Sequence, residues 1–210
     1  MYHFIASFAI YNKIEEMGGG ILPVALHDNE VYLLFGKENE LDDTQGWADF
    51  GGGRKKKESI LQTAIREGCE ELNGFLGLEH EIRENYHKNK VLSVNHESYT
   101  TFMYKVDYDS NMPKYFRGNY MFLSSRLPQI KGNLNNGLLE KSHIKWYTFQ
   151  ELRNEKGKFR PFYQAIVEKI IGKEEEIKDI MGVEREEKGR EEKRKPGSHS
   201  SKRRTRKHRN

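Results

Sequence analysis

One amphipathic helix set between two pairs of strand-like segments limits this chain to a layered architecture. At about 100° per residue, residues 59–72 gather Leu61, Ile65, Cys69 and Leu72 into one apolar stripe that should face a core. Upstream, residues 21–26 and 31–36 read as strands joined by the turn-rich His27-Asp28-Asn29-Glu30. Downstream, residues 91–95 and 99–107 form a second pair, rich in β-branched and aromatic side chains. Residues 120–123 and 144–149 are shorter strand candidates. Pro161 suits the first turn of a helix, and Phe162, Ile166, Ile170, Ile177 and Met181 then recur at roughly helical spacing. No internal repeat is present. The fold class expected is therefore α/β or α+β, with helices layered on a sheet.

Charge divides the chain in two. Of its 36 Lys+Arg and 32 Asp+Glu, residues 183–210 hold twelve basic and five acidic, so the body is mildly acidic and the tail strongly basic. The stretch 193–210 has almost no apolar residue and cannot bury a core, which predicts a disordered basic tail. Such a run suits RNA contact or nuclear targeting, with a solvated, solubilising tail as the plainer alternative. No window approaches eighteen consecutive apolar residues, so no membrane-spanning helix is expected. The N-terminal stretch lacks a basic leader and a small-residue cleavage site, and Cys69 is the sole cysteine. These features predict an intracellular protein, cytoplasmic unless the tail directs it to a nucleus. The expected organisation is an N-terminal segment at 1–17, a domain at 18–172, a charged helical extension at 173–192 and the tail at 193–210.

Residues 47–74 carry the chemistry. Glu67, Glu70 and Glu71 are spaced i, i+3, i+4, so their carboxylates converge and repel one another. A divalent cation relieves such repulsion, and oxygen donors suit Mg²⁺ or Mn²⁺. Gly51-Gly52-Gly53 allows close approach of backbone to a ligand, while Arg54, Lys55, Lys56 and Lys57 suit phosphate oxygens. Arg66 lies i, i+4 from Glu70 and can hold a carboxylate in position. The plain alternative is a solvated acidic helix face.

With Gly52, Glu58, Arg66, Glu67, Glu70 and Glu71 at the required separations, the segment resembles the Nudix box. Gly68, Asn73 and Gly74 depart from its pattern. Gly68 should cost about 0.5–1 kcal/mol within a helix and leave core space unfilled. Asn73 is a mild change, because Asn tolerates the left-handed conformation that ends a helix. Gly74 bears on the turn after the helix.

The resemblance spans roughly residues 18–172 and implies a mixed β-sheet sandwiched between helices. It implies a metal-dependent hydrolase that cleaves a nucleoside diphosphate linked to another moiety. Glu67, Glu70, Glu71 and a carbonyl of Gly51 or Gly52 would hold Mg²⁺ or Mn²⁺, Arg66 would orient a glutamate, and Glu58 would support the loop. Glu140 is similar in placement to a later-loop base or ligand in some members, with Glu97 and His143 behind it. Arg54, Lys55 and Lys57 would meet substrate phosphates. Cys69 reads as packing. The substrate would be a nucleotide or nucleotide derivative.

Two other functions accompany this one. In the first, the enzyme removes the cap of RNA and its tail holds the RNA body; Trp47, Tyr115, Phe116 and Tyr120 are aromatic candidates to stack on a base, or else packing residues. In the second, the fold is an inactive module that binds RNA or a partner. A different α/β domain with a chance acidic helix is the remaining alternative. Oligomeric state is not encoded in any of these features.

Overall fold

The computed structural model describes residues 17–131 and 139–184. The basic tail, and all but the last residue of the N-terminal segment, lie outside the described residues. Strands β1 (Gly18–His27) and β2 (Glu30–Glu38) form an antiparallel hairpin. Its two central residues, Asp28 and Asn29, have φ of 48° and 59°, the positive pair that a tight two-residue hairpin requires and that these side chains tolerate. Short strands β3 (Trp47–Ala48) and β4 (Phe50–Gly53) lead to helix α1 (Ile60–Glu71), and helix α2 (Glu79–Asn89) follows. Strands β5 (Lys90–His96) and β6 (Tyr99–Lys105) form the second hairpin. Helix α3 (Met112–Arg126), strand β7 (Lys141–Tyr147) and helices α4 (Phe149–Glu155), α5 (Pro161–Gly172) and α6 (Glu174–Met181) follow, with single helical turns at Pro128–Lys131 and Lys156–Lys158.

The sheet is mixed, as expected. β1 is central, parallel to β6 and antiparallel to its other neighbours. Consecutive residues of a strand point to opposite faces, and here both faces are covered. Leu22, Val24, Leu33 and Phe35 join the core under α5 and α6, while Ile21, Ala25 and Leu34 join the core under α1, α2 and α3. That double burial explains why the two first strands read as nearly unbroken apolar runs.

The same edge of β1 pairs with two partners. Val24–His27 face β2, whereas Gly18–Ile21 face β4, with Gly18, Gly19 and Gly20 opposite Gly53, Gly52 and Gly51. β2 meanwhile turns to β7, pairing Leu33 with Tyr147 and Glu38 with Lys141. β1 and β2 thus diverge, and β3–β4 fill the wedge between them. The acidic helix α1 lies across this wedge.

Three expectations need correction. Residues 120–123 are helical, inside α3, with Tyr120 buried. The terminal helix breaks after Gly172, and Phe162 points to solvent whereas Ile166, Ile170, Ile177 and Met181 are core. Gly68 leaves no unfilled space: a methyl there would overlap Cδ1 and Cγ1 of Ile21, so the glycine is what lets α1 settle on β1. Asn73 does take a left-handed φ of 50°, as does Gly74 at 73°, and together they turn the chain out of α1.

Candidate functional site

Ser59 starts α1. Its hydroxyl accepts from the Gln62 N–H at 3.2 Å while the Gln62 side chain accepts from the Ser59 N–H at 2.7 Å, so the first turn is closed reciprocally. From this fixed start the helix delivers Arg66 to a buried position against the loop. Arg66 Nε donates to Glu58 Oε1 at 2.8 Å, Nη2 to Glu58 Oε2 at 3.2 Å and to the Gly53 carbonyl at 3.4 Å. Its Nη1 reaches Glu67 Oε1 at 2.7 Å and Glu70 Oε2 at 3.1 Å. One guanidinium therefore gathers three carboxylates and ties the loop to the helix.

Glu58 is the most settled of the three. Besides Arg66 it accepts from the Thr63 hydroxyl at 2.9 Å and the Lys55 N–H at 3.1 Å. Arg66 beside it holds its carboxyl down to about 2, against the opposing effect of burial. Glu67 lies against the backbone of β4: a Cβ on Gly52 would stand 2.7 Å from its carboxyl carbon, so only glycine makes room there. Burial pushes the Glu67 carboxyl up, and the charge of Glu70 adds to that against Arg66. Glu140, at the start of β7, is also pushed up, first by burial and next by Glu67. Its carbonyl accepts from the Asn39 N–H at 2.8 Å, which pins the approach to β7 against the end of β2.

Glu71 faces inward, away from this group. It is buried, its Oε2 accepts from the Gly51 N–H at 2.8 Å, and its Oε1 meets Lys141 Nζ at 3.2 Å. Lys141 is itself buried and also binds Glu38, whose second cation is Arg160 at 3.0 Å. Burial works against the Lys141 charge, but Glu71 and Glu38 outweigh it and hold the ammonium protonated.

The loop basics separate by exposure. Lys55 and Lys57 are exposed, Lys55 lying 3.9 Å from Glu70, and Arg54 is half-buried with its N–H on the Met17 carbonyl. The remaining candidates lie apart from Glu67. His143 contacts Ser142 on β7, and Glu97 occupies the exposed turn between β5 and β6 with φ of 50°. Cys69 packs against the α1–α3 core. Of the aromatic candidates, Phe116 and Tyr120 are buried, Trp47 stands edge-on to Tyr147, and Tyr115 alone is exposed, on α3. Lys141, Glu38, Arg160 and the buried Asp49 escape a reading of the sequence. The only local signal for Lys141 is a lysine next to Glu140, which reads as a solvated strand position.

The donors suit a hard divalent cation in kind and in charge. Glu67, Glu70 and Glu140 are oxygen donors, burial first and like charge second raise Glu67 and Glu140, and Gly52 opens the backbone beside Glu67. Among the described residues no three acidic, histidine or cysteine side chains close around one point; Glu67 pairs with Arg66 and Glu71 with Lys141. Among the described residues, no helix is long and apolar enough to cross a membrane.

No protein-family model matches the chain, and no curated protein is significantly similar to it. Solved structures of Nudix hydrolases are similar in fold. RenU, a Nudix hydrolase from M. smegmatis, shares 12% identity over 74% of this chain and 84% of its own, with a TM-score of 0.40. An Ap4A hydrolase from C. elegans, in a binary complex, shares 13% identity over 75% of this chain and 96% of its own, with a TM-score of 0.44. A bifunctional NMN adenylyltransferase/ADP ribose pyrophosphatase from Francisella tularensis, complexed with AMP and a Mn ion, shares 14% identity with a TM-score of 0.43; the match covers 82% of this chain and 46% of that one.

Proposed function

We propose that this chain is a Nudix-type, divalent-metal-dependent pyrophosphohydrolase acting on a nucleoside diphosphate linked to another moiety. One observation carries the reading: Gly52, Glu58, Arg66, Glu67 and Glu70, spaced in sequence as the box requires, meet in a single constellation between β4 and α1. Glu67 and Glu70, with Glu140 and a carbonyl of the Gly51–Gly52 segment, would hold Mg²⁺ or Mn²⁺. When bound, the ion supplies Lewis acidity toward phosphate oxygens and makes water a nucleophile near neutral pH.

The chain's own residues set the geometry. Arg66 fixes the rotamers of Glu67 and Glu70 relative to the loop, so the donors stay put while the substrate comes and goes. Lys55 and Lys57 are exposed and would meet phosphate oxygens, and Arg54 lies at the loop's base. Glu140, near enough to Glu67 to feel its charge, would take a proton from the attacking water beside the ion. Water then adds to phosphorus and the anhydride oxygen leaves with its electron pair.

The test is product analysis with Mg²⁺ or Mn²⁺ on free nucleotides, nucleotide sugars and cap-labelled RNA, comparing wild type with Glu67→Gln. Turnover by wild type that falls at least about 100-fold in the variant supports the reading. Cap release from RNA alone would narrow it to a decapping enzyme. No metal-dependent turnover on any of them would favour the inactive binding module.

A further inference from the structure

Glu71 belongs to the box by spacing, yet its surroundings differ from those of Glu67 and Glu70. Both its oxygens are already engaged, one by the Gly51 N–H and one by Lys141. Lys141 is only 1% exposed, and its stem lies over Gly36, where a Cβ would come within 2.9 Å of Lys141 Cγ. Lys141, the first residue of β7, turns in to Glu71 and Glu38, while Glu140 just before the strand feels Glu67 first and then Lys141, Glu38 and Glu70. Arg160 supplies the second positive charge at Glu38. Arg160 also reaches Asp42 at 3.5 Å, so within this inner cluster Lys141 is the cation in contact with Glu71.

We propose that Lys141 is the built-in counter-ion of Glu71, holding it where a divalent ion would otherwise be needed, so that ion binding is confined to the outer carboxylates Glu67, Glu70 and Glu140. Lys141 is on this account a positioning residue: through Glu71 it fixes the Gly51 amide, and with it the glycine segment beside Glu67. The inference rests on the metal-dependent reading above.

The experiment is Mn²⁺ titration of the full chain, reading free Mn²⁺ by electron paramagnetic resonance, with thermal melts at zero and saturating Mn²⁺. Wild type, Glu67→Gln, Glu71→Gln and Lys141→Met are compared. Glu67→Gln is expected to weaken Mn²⁺ binding by at least about tenfold, and Glu71→Gln to change it by less than about threefold. Lys141→Met removes the cation in contact with Glu71 while Glu38 keeps Arg160, so Mn²⁺ should raise its Tm more than that of wild type. A Glu71→Gln loss as large as that of Glu67→Gln, or no extra Mn²⁺ shift in a folded Lys141→Met, overturns the role of Lys141 and leaves the metal-dependent reading intact. If Lys141→Met does not fold, Glu71→Gln decides alone. Wild-type binding that is absent, or unmoved by Glu67→Gln, overturns the metal-dependent reading and this inference with it.

Discussion

Asp49 sits next to β4 with hydroxyls on every side. Tyr99 donates to its Oδ1 at 2.8 Å and Thr101 to its Oδ2 at 2.7 Å, and the Tyr163 hydroxyl lies 3.1 Å from Thr101 Oγ1. Those bonds and Lys141 favour the charged carboxylate, yet burial outweighs them and pushes it up to about 6 from an ordinary 3.8. The native state therefore binds this proton more tightly than the unfolded chain. The stabilisation is fully present below 3.8 and is lost as pH rises through about 6, a change of about 3 kcal/mol. Asp49→Asn removes the titration, so its stability should fall less than that of wild type between about pH 4 and about pH 7. Urea denaturation across that range measures this. Equal slopes for both proteins would refute it.

At the scale of elements, the contact between α1 and β1 is set by one absent side chain. Gly68 is buried against Ile21, so a side chain at 68 requires Ile21 to give way. Gly68→Ala should destabilise by about 1–3 kcal/mol through overpacking, and Ile21→Ala should cost less in that background than in wild type. A double-mutant cycle in urea tests this, and strictly additive effects would sink it. The helix itself is legible from sequence because Leu61, Ile65 and Leu72 repeat on one face, and the two hairpins because turn residues separate apolar runs. α3 is not, since exposed Tyr115, Met121 and Phe122 interrupt the spacing of buried Met112, Phe116 and Tyr120 and make a short window look strand-like. The carboxylate cluster around Arg66 is local, within a loop and the helix after it, so its spacing can be read. The cluster around Lys141 joins Glu38, Glu71 and Arg160 from distant parts of the chain, and no local pattern encodes it.

For the molecule as a whole, the core continues past Gly172. Ile177 and Met181 of α6 are buried with the residues of α5 and the first hairpin. Beyond α6, the backbone of Glu184 exchanges two hydrogen bonds with the Asn29 side chain, at 2.8 and 2.9 Å, which fastens the end of the described chain to the hairpin turn. Ending the chain at Gly172 should therefore cost about 4 kcal/mol relative to ending it at Glu184, from two lost core side chains. Urea midpoints of the two truncations measure this, and coincident midpoints would show that α6 adds nothing.

The glycines paired across β1 and β4 divide unequally in the freedom they leave to variation. A methyl at Gly18, Gly19, Gly20, Gly51 or Gly52 would run into the Gly52 carbonyl, Ile60, Asp49, Tyr99 or Glu67 respectively, whereas Gly53 faces open space. In a library of variants the sixth position is free to drift while the other five are locked. Because the locked residues come from segments far apart in the chain, no single local insertion or swap can redesign the strip. Its shape can be inherited or lost as a unit, but not improved one residue at a time.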